Sequence, residues 1–448
     1  MAGDLQQLTE QMLDAARHAG ADAADAIAVS DASVSVDVLN GRLEHAERSE
    51  STEIGLRVLA GRRQACVSSS DLSGETIRQM AERAVAMARE APEDPAIGLA
   101  EADQLARDWD IGAFEMADPA PEPSPTALEE DALAAEAAAY ALKGISKVDN
   151  ASAGYGRSCL HLAASNGFSG GYARTSRSIG CVAITGTGGS MERDHFWDTR
   201  VFREDLMPPE EIGRVAAERA LARAGPGQPP TGRFPVVFDE RVAGSLIGHL
   251  LAAVNGTAIA RGASWLLDGL GKQVLPKELS LTEEPHRRRA RATCPFDGEG
   301  LPTRRRHIIE NGILCGWTLD LAIGRKLGME STANARRGTS APPSPGVGNV
   351  TLTQGEKSRD DLLREMGTGL LVTSLIGSTI NPNTGDYSRG ASGFWVEGGA
   401  VCHPVNECTI AGNLRDMLRG MMAANDARTH LSRVVPSLLV EGLAIAGK

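Results

Sequence analysis

The chain has 448 residues, of which 42% are apolar and 23% are charged, and its formal net charge is −12. This length and composition are typical of a globular protein with two or three domains, and they exclude wholesale disorder and a coiled coil. The acidic balance and an aromatic content of only 4% argue against a protein that binds nucleic acid.

The sequence carries no signal for export or for a membrane span. No run approaches the ~18 uninterrupted apolar residues that a membrane helix needs. The N-terminal sequence MAGDLQQLTEQ has no basic segment followed by an apolar one. The seven cysteines are scattered and odd in number, which favours reduced thiols over a disulfide framework. We therefore expect a cytoplasmic protein that has no membrane partner.

The N-terminal half combines helical and strand-like patterns. Leu5, Leu8 and Met12 recur on one face of residues 4–18, which predicts an amphipathic helix. Asn40-Gly41 follows an alternating apolar run and predicts a β-hairpin, because this pair favours the backbone of the tight turn. Further elements are predicted as helices at 73–90, 126–143 and 208–224 and as several strands between 148 and 190.

Two segments rich in proline or glycine divide the chain. Residues 91–125 are acidic and end in PAPEPSP, which predicts a long surface connection. Residues 225–233, GPGQPPTGR, form the clearest boundary, since glycine and proline both interrupt regular structure. We expect an α+β domain over 1–224, with antiparallel strands and flanking helices, and a β-rich domain over 234–448.

The C-terminal half is rich in strand and hairpin signals. Phe234–Phe238 predicts a short buried strand, after which Asp239 can cap a helix that occupies residues 239–254. The pairs Asn311-Gly312 and Gly398-Gly399 each separate two apolar runs and predict hairpins. A capping pattern at Ser358 predicts one more short helix. The fold class indicated for the whole chain is α+β, with few helices in the second half.

A phosphate-binding loop is the first candidate for chemistry. The glycine-rich sequence GTGG at 186–189 follows a predicted strand, but the residues after it have an extended pattern. A phosphate cradle needs a helix at that point, so that its N–H groups converge on the anion. The sequence therefore favours a hairpin turn at this position.

A metal site is the second candidate. None of the nine histidines is followed by glutamate, so the HExxH pattern of zinc hydrolases is absent. His249 lies among apolar residues of a predicted helix and is interpreted as a packed side chain. Cys402, His403 and Cys408 could supply two or three ligands, but they lack CxxC spacing and a fourth partner. Packing is the favoured interpretation of this group, and a cryptic metal site there is left open.

Nucleophilic catalysis and anion binding are the remaining candidates for chemistry. No GxSxG sequence occurs, and Cys66, Cys159 and Cys181 lie in apolar strand-like contexts that indicate structural thiols. The basic runs at 286–291 and 304–306 could hold acidic groups, although solvated loop charges explain them as well. From its residues alone, the chain shows no self-evident catalytic constellation.

Long stretches of the sequence nevertheless resemble one known family. These stretches are SVSVDVLNGRLEHAERSESTEIGLRVLAG at 33–61, FDGEGLPT at 296–303, HIIENGILCGW at 307–317, GRKLGMESTANARRG at 324–338, NPNTGDYSRGASGFWVEGG at 381–399 and TIAGNLRDML at 409–418. Through these stretches the chain resembles the TldD/PmbA family, and specifically its PmbA (TldE) branch. The resemblance is dense in the C-terminal half and colinear over nearly the whole chain.

The resemblance implies a two-subunit zinc protease in which this chain does not hold the metal. The TldD-type subunit carries an HExxxH helix and a further cysteine ligand near its C-terminus. At the matching positions this chain has Gly248, His249 and Ala253, and residues 425–437 contain no cysteine. Both imidazoles and the general base are therefore replaced, which would remove metal coordination and water activation together. We expect no zinc in this chain and a zinc ion in a TldD-like partner.

The leading hypothesis is a non-catalytic subunit that pairs with a TldD-like chain. The resemblance implies unfolded or extended peptides as substrates, including peptide-antibiotic leaders and a labile antitoxin. A strand edge can bind such peptides through main-chain hydrogen bonds. The alternative is a stand-alone binding protein that modulates the DNA gyrase pathway, and a homodimer in the absence of the partner also stays open. Family-like residues with a structural role or a role in a peptide channel are Asp297, Glu299, Asn381, Asp386 and Tyr387.

Overall fold

The structure is a computed structural model that describes residues 2–447. The helices are α1 (Ala2–His18), α2 (Gly74–Glu90), α3 (Ile111–Phe114), α4 (Pro125–Tyr140), α5 (Pro209–Ala222), α6 (Glu240–Ala253), α7 (Gly256–Ala260), α8 (Leu321–Leu327), α9 (Arg359–Met366) and α10 (Leu414–Arg419). The strands of the first half are β1 (Ala23–Leu39), β2 (Arg42–Ala60), β3 (Arg63–Ser69), β4 (Ile145–Ala164), β5 (Ser169–Thr185) and β6 (Glu192–Arg200).

The strands of the second half are shorter on average. They are β7 (Gly232–Phe238), β8 (Leu281–Glu283), β9 (Arg306–Glu310), β10 (Ile313–Leu314), β11 (Ala335–Arg336), β12 (Ser344–Pro345), β13 (Val350–Leu352), β14 (Gly369–Ile380), β15 (Asp386–Glu397), β16 (Ala400–Asn413), β17 (Met422–Ala423), β18 (Arg433–Val434) and β19 (Leu438–Ala446). The α+β class and the β-rich second half are confirmed. No helix within residues 2–447 is both long enough and apolar enough to cross a membrane.

The first half is one antiparallel sheet of six strands in the order β3-β2-β1-β4-β5-β6. Helices cover one face of this sheet, and β1 contributes to two separate cores on that face. Its residues Ala24, Ala26 and Ala28 pack with α1 and α2, whereas Val34 and Val36 pack with α4 and α5. The strand alternation therefore continues along all of β1, because residues two apart point to the same face.

Local signals in the sequence predicted several turns correctly. Asn40 and Gly41 have φ of 55° and 70° and close the β1–β2 hairpin, as predicted. The glycine-rich loop near Gly186 joins β5 to the antiparallel β6, which confirms a hairpin turn and contradicts a phosphate cradle. Residues 148–190, predicted as several strands, contain most of β4, all of β5 and the turn after β5.

The second half is built around a closed barrel. Strands β16, β15, β14, β7 and β19 lie side by side in that order, and β16 also pairs with β19, so the ring closes. A smaller sheet, β10-β9-β8-β13-β18, packs beside the barrel. Helix α6 leaves β7 directly and contributes its apolar face to the large core that both sheets share.

The acidic connection is more buried than its composition indicates. Ala96, Ala100, Ala106 and Met116 are buried, which corrects the prediction that the whole segment lies on the surface. The Nη1 and Nη2 atoms of Arg325 donate to the carbonyl oxygens of Ala96 and Leu99 at 3.1 and 2.8 Å, respectively. The segment therefore packs between the two halves of the molecule, where its scattered apolar side chains find a core.

Candidate functional site

Helix α6 occupies the position at which the family resemblance implies a metal helix. Asp239 caps its first turn, because the carboxylate accepts a hydrogen bond from the Arg241 backbone N–H at 3.2 Å. Its buried face consists of aliphatic residues at helical spacing, namely Ala243, Leu246, Ile247, Leu250, Leu251 and Ala253. The apolar face therefore anchors the helix in the core, and the opposite face is available for the side chains of the candidate site.

An arginine lies along the other face of α6. The Nη1 atom of Arg433 donates to the Gly244 carbonyl oxygen at 3.1 Å. A Cβ atom at Gly248 would lie 2.9 Å from the same Nη1, and one at Gly244 would lie 3.6 Å from Cδ of Arg433. The two glycines, four residues apart on one helix face, therefore make room for the guanidinium.

The imidazole of His249 faces two residues of β15. Its ring is 6.0 Å from the Tyr387 ring in an edge-on arrangement. Burial lowers the pKa of His249, and the Arg389 and Arg433 guanidiniums lower this pKa further. Burial raises the pKa of Tyr387 to about 12, so the phenol keeps its proton at neutral pH and can donate it to a hydrogen bond.

The residues at this place do not fit a zinc ion. Zinc in proteins takes four ligands, which are thiolates, imidazoles or carboxylates. Here Gly248 and Ala253 offer no ligand atom, and the neighbouring Arg389 and Arg433 are cations without a lone pair to donate. The described part of the chain holds no group of three or more His, Cys, Asp or Glu side chains that could bind a metal ion.

Cys402, His403 and Cys408 lie on the barrel strand β16 but face different environments. Cys402 and His403 are exposed, whereas Cys408 is buried and its thiol donates to the Ala391 carbonyl oxygen at 3.2 Å. Within residues 2–447, these three side chains do not form a group that could hold a metal ion. The buried thiol of Cys408 is thus a packing residue, with a pKa that burial raises to about 11.

Asn381 and Asp386 hold the turn between β14 and β15. The Asn381 Oδ1 atom accepts from the backbone N–H groups of Asn383 and Thr384 at 3.0 and 3.3 Å. The Asp386 carboxylate accepts from the Thr384 hydroxyl at 2.6 Å and from the Asn413 amide at 3.2 Å. Both side chains therefore stiffen the turn that precedes Tyr387.

Asp297 and Glu299 lie in a buried loop where the two halves meet. Asp297 accepts three backbone hydrogen bonds, from Glu299 and Leu301 at 2.9 and 3.0 Å and from Ala335 at 3.0 Å. Glu299 accepts one from Leu321 at 2.9 Å. Burial raises the pKa of both carboxyls. Their contacts are those of side chains that organise loops.

A buried ion cluster crosses the interface beside Glu299. Asp25 of β1 pairs with Arg57 of β2, and its other carboxylate oxygen accepts from Nε of Arg337 at 3.1 Å. Arg337 comes from the C-terminal half, and its side chain is almost fully buried. Packed aromatic rings extend the same interface, since Phe296 contacts Trp109, Phe168 and Tyr172 at centroid distances of 5.0, 4.9 and 5.5 Å.

Sequence reasoning singled out His249 and Tyr387 but missed the two arginines beside them. Arg389 follows Tyr387 by two residues, so the strand period places both on one face of β15. The two-residue period of the strand could therefore have identified Arg389 from the sequence. Arg433 and Gly244 are 189 residues apart, and no local pattern connects them.

The chain is similar to known proteins along most of its length. Family models match residues 24–88, 118–224 and 231–447 as domain 1, the central domain and the C-terminal domain of the PmbA/TldA metallopeptidases. The Escherichia coli O157:H7 protein named Metalloprotease PmbA is 38% identical over 417 residues, which cover 93% of this chain and 90% of that protein.

Solved structures share the whole fold. A crystal structure from Bacteroides thetaiotaomicron, named as a candidate modulator of DNA gyrase, has a TM-score of 0.91 at 26% identity and covers 99% of this chain and 98% of that one. TldE from Thermococcus kodakarensis has a TM-score of 0.86 at 20% identity, with coverages of 98% and 100%, and this likeness shows the fold alone. With these matches along its length, the chain belongs to the PmbA/TldD metallopeptidase family.

Proposed function

We propose that this chain is the non-catalytic subunit of a two-chain zinc peptidase, in which a TldD-like chain supplies the metal and the general base. The observation that carries the proposal is α6, where Gly248, His249 and Ala253 stand at the metal-helix positions and Arg433 fills the space above Gly248. The relative named Metalloprotease PmbA supports a role in proteolysis. The assembled peptidase would act in the cytoplasm on unfolded or extended peptides.

An open strand edge supports the binding of extended peptides. Strand β3 pairs with β2 only over Ile54–Ala60, so residues 42–53 of β2 have no outer strand partner in the described part of the chain. These residues are exposed and rich in charge, which protects an open edge from uncontrolled pairing. An extended peptide can add to such an edge through main-chain hydrogen bonds, which require no particular sequence.

The proposal is tested by separating the two subunits. The chain is purified alone and together with a TldD-like chain of the same genome, and zinc is measured by elemental mass spectrometry. An unfolded peptide serves as the substrate. We expect near-zero zinc and no cleavage for this chain alone, and cleavage that chelators abolish for the pair. His249→Ala in this chain should not abolish the cleavage, because the general base belongs to the partner, whereas replacing the glutamate of the partner's HExxxH helix should abolish it.

Two results would contradict the proposal. Chelator-sensitive cleavage by this chain alone would show that it holds a metal site of its own. Failure to associate with the TldD-like chain, together with direct binding to a gyrase subunit, would instead support a stand-alone modulator of the gyrase pathway. The structural neighbour named as a candidate gyrase modulator makes that second outcome worth measuring.

A further inference from the structure

Three buried polar atoms converge beside α6 without hydrogen-bond partners. They are Nε2 of His249, the hydroxyl of Tyr387 and Nε of Arg389, and none makes a hydrogen bond of good geometry among the described residues. The Arg389 guanidinium nevertheless lies close enough to the Tyr387 hydroxyl to oppose the rise in its pKa. The Tyr387 side chain is only 2% exposed. A buried polar group without a partner costs free energy, and native proteins rarely keep three of them together. Such a group indicates a ligand that completes the hydrogen bonds.

The three side chains lie close together in one group. Tyr387 and Arg389 are two residues apart on β15 and therefore share one face of the strand. The Tyr387 ring meets the His249 ring edge-on, and both Arg389 and Arg433 act electrostatically on that imidazole. Arg433 itself is exposed, so it is the member of the group that meets solvent.

The electrostatic balance of this group favours an anion. Arg389 and Arg433 form no ion pair with any carboxylate in the described part of the chain, whereas the buried Arg57 and Arg337 both pair with Asp25. The two charged groups that lower the pKa of His249, Arg389 on β15 and Arg433, are both cations. A phenol that keeps its proton and an Nε–H group add hydrogen-bond donors to the two positive charges.

We propose that His249, Tyr387, Arg389 and Arg433 form a binding site for a peptide carboxylate. The site lies on the helix face at which zinc would sit in the catalytic relatives, so a fixed positive charge takes the place of the metal. A carboxylate is the anion that peptides carry, and guanidinium groups bind it with charge-assisted hydrogen bonds. The identity of the ligand rests on the proposed peptidase function, whereas the preference for an anion rests on the positive charges and hydrogen-bond donors of the site.

The carboxylate has two sources, which three probe peptides distinguish. The probes are an unfolded Ala/Ser peptide with a free C-terminus, the same peptide with a C-terminal amide, and the amide with one internal glutamate. Binding to the full-length chain is measured by isothermal titration calorimetry in the presence of a chelator. Binding of the free acid alone indicates recognition of a chain end. Binding of the glutamate-containing amide as well indicates recognition of any carboxylate.

Point variants assign the binding to this site. We expect Arg389→Gln and Arg433→Gln each to weaken the binding about tenfold or more, because each removes a charged hydrogen-bond donor. Tyr387→Phe keeps the ring and should weaken it about three- to tenfold. Arg419→Gln is the matched control, since Arg419 is exposed and forms no ion pair within residues 2–447. Circular dichroism establishes that each variant is folded, and the exposed Arg433 is the safest change in this respect.

The inference is overturned if the neutral amide binds as well as the free acid, if none of the probes binds, or if the Arg389 and Arg433 variants bind like the parent. These measurements use this chain alone, so they do not depend on a partner. If the chain binds no carboxylate but supports cleavage together with a TldD-like partner, the inference is rejected and the proposed function still stands. If the chain binds the carboxylate but never forms an active pair, the proposed function is rejected and the anion site still stands.

Discussion

At the scale of single residues, the two faces of α6 have different roles. Its buried aliphatic face contributes to the core of the second half. The opposite face carries glycines at 244 and 248, and the Arg433 side chain lies over both. Because glycine lacks a side chain, both positions leave space for the guanidinium. Gly248, which stands at a metal-helix position implied by the family resemblance, also offers no ligand atom.

The tolerance of this face can be measured by Gly248→Ala. Alanine has a higher helix propensity than glycine, which is worth about 0.5–1 kcal/mol in a helix interior. The added methyl group would meet only the end of the flexible Arg433 side chain, at 2.9 Å from Nη1. We expect urea denaturation to show a rise of about 0.5–1 kcal/mol in the free energy of unfolding. A fall of that size would show that the guanidinium cannot move.

At the scale of secondary-structure elements, another glycine has the opposite role. Gly213 lies on α5 where this helix crosses α4, and a Cβ atom there would overlap the carbonyl oxygen of Ala135. A backbone atom cannot yield as a flexible side chain can, so the two helices would have to separate. We expect Gly213→Ala to lower the free energy of unfolding by about 1–3 kcal/mol. Gly248→Ala is the matched control, and an equal effect of the two changes would contradict this account of the α4–α5 contact.

The elements that sequence reasoning predicted are those with local signals. Helix α2 begins after Ser73, whose hydroxyl accepts from the Thr76 backbone N–H at 3.2 Å, and the hairpin at Asn40-Gly41 has the expected positive φ values. The barrel was not predicted, because its closure depends on pairing between residues 409–411 and 444–446, which no local pattern specifies. The candidate site was predicted in part for the same reason, since Tyr387 lies in a dense motif whereas Arg433 reaches α6 from a distant segment.

At the scale of the whole molecule, the two halves are joined by buried charge as well as by aromatic packing. Asp25 and Arg57 of the first sheet meet Arg337 of the second half, and Glu299 lies beside them. Within residues 2–447, Glu299 has no ion-pair partner, and its carboxylate accepts one hydrogen bond, from the Leu321 backbone N–H. Burial is the main cause that raises its pKa, the Asp297 carboxylate raises it further, and Arg57 opposes them. The interface is therefore most stable when Glu299 carries a proton.

This protonation makes the stability of the molecule depend on pH. The pKa of Glu299 rises to about 8 in the folded chain from an ordinary value of 4.5. The folded state therefore holds a proton that the unfolded state releases between those two values, and the stability that the proton confers is lost as pH rises through this window. Each such carboxyl contributes up to about 1.4 kcal/mol per pH unit to the slope. Asp297, whose pKa burial also raises, adds to this slope at lower pH.

Glu299→Gln isolates this contribution, because glutamine has the shape of the protonated acid and can still accept from Leu321. We expect the free energy of unfolding of the parent to fall relative to that of the variant between about pH 5 and about pH 8. Denaturant titrations of both proteins across this range give the difference directly. Groups whose folded pKa is lowered, such as Asp198 and Asp239, contribute with the opposite sign but equally to both proteins, so they cancel. Parallel curves for the two proteins would show that Glu299 stays ionised at the interface, held there by Arg57.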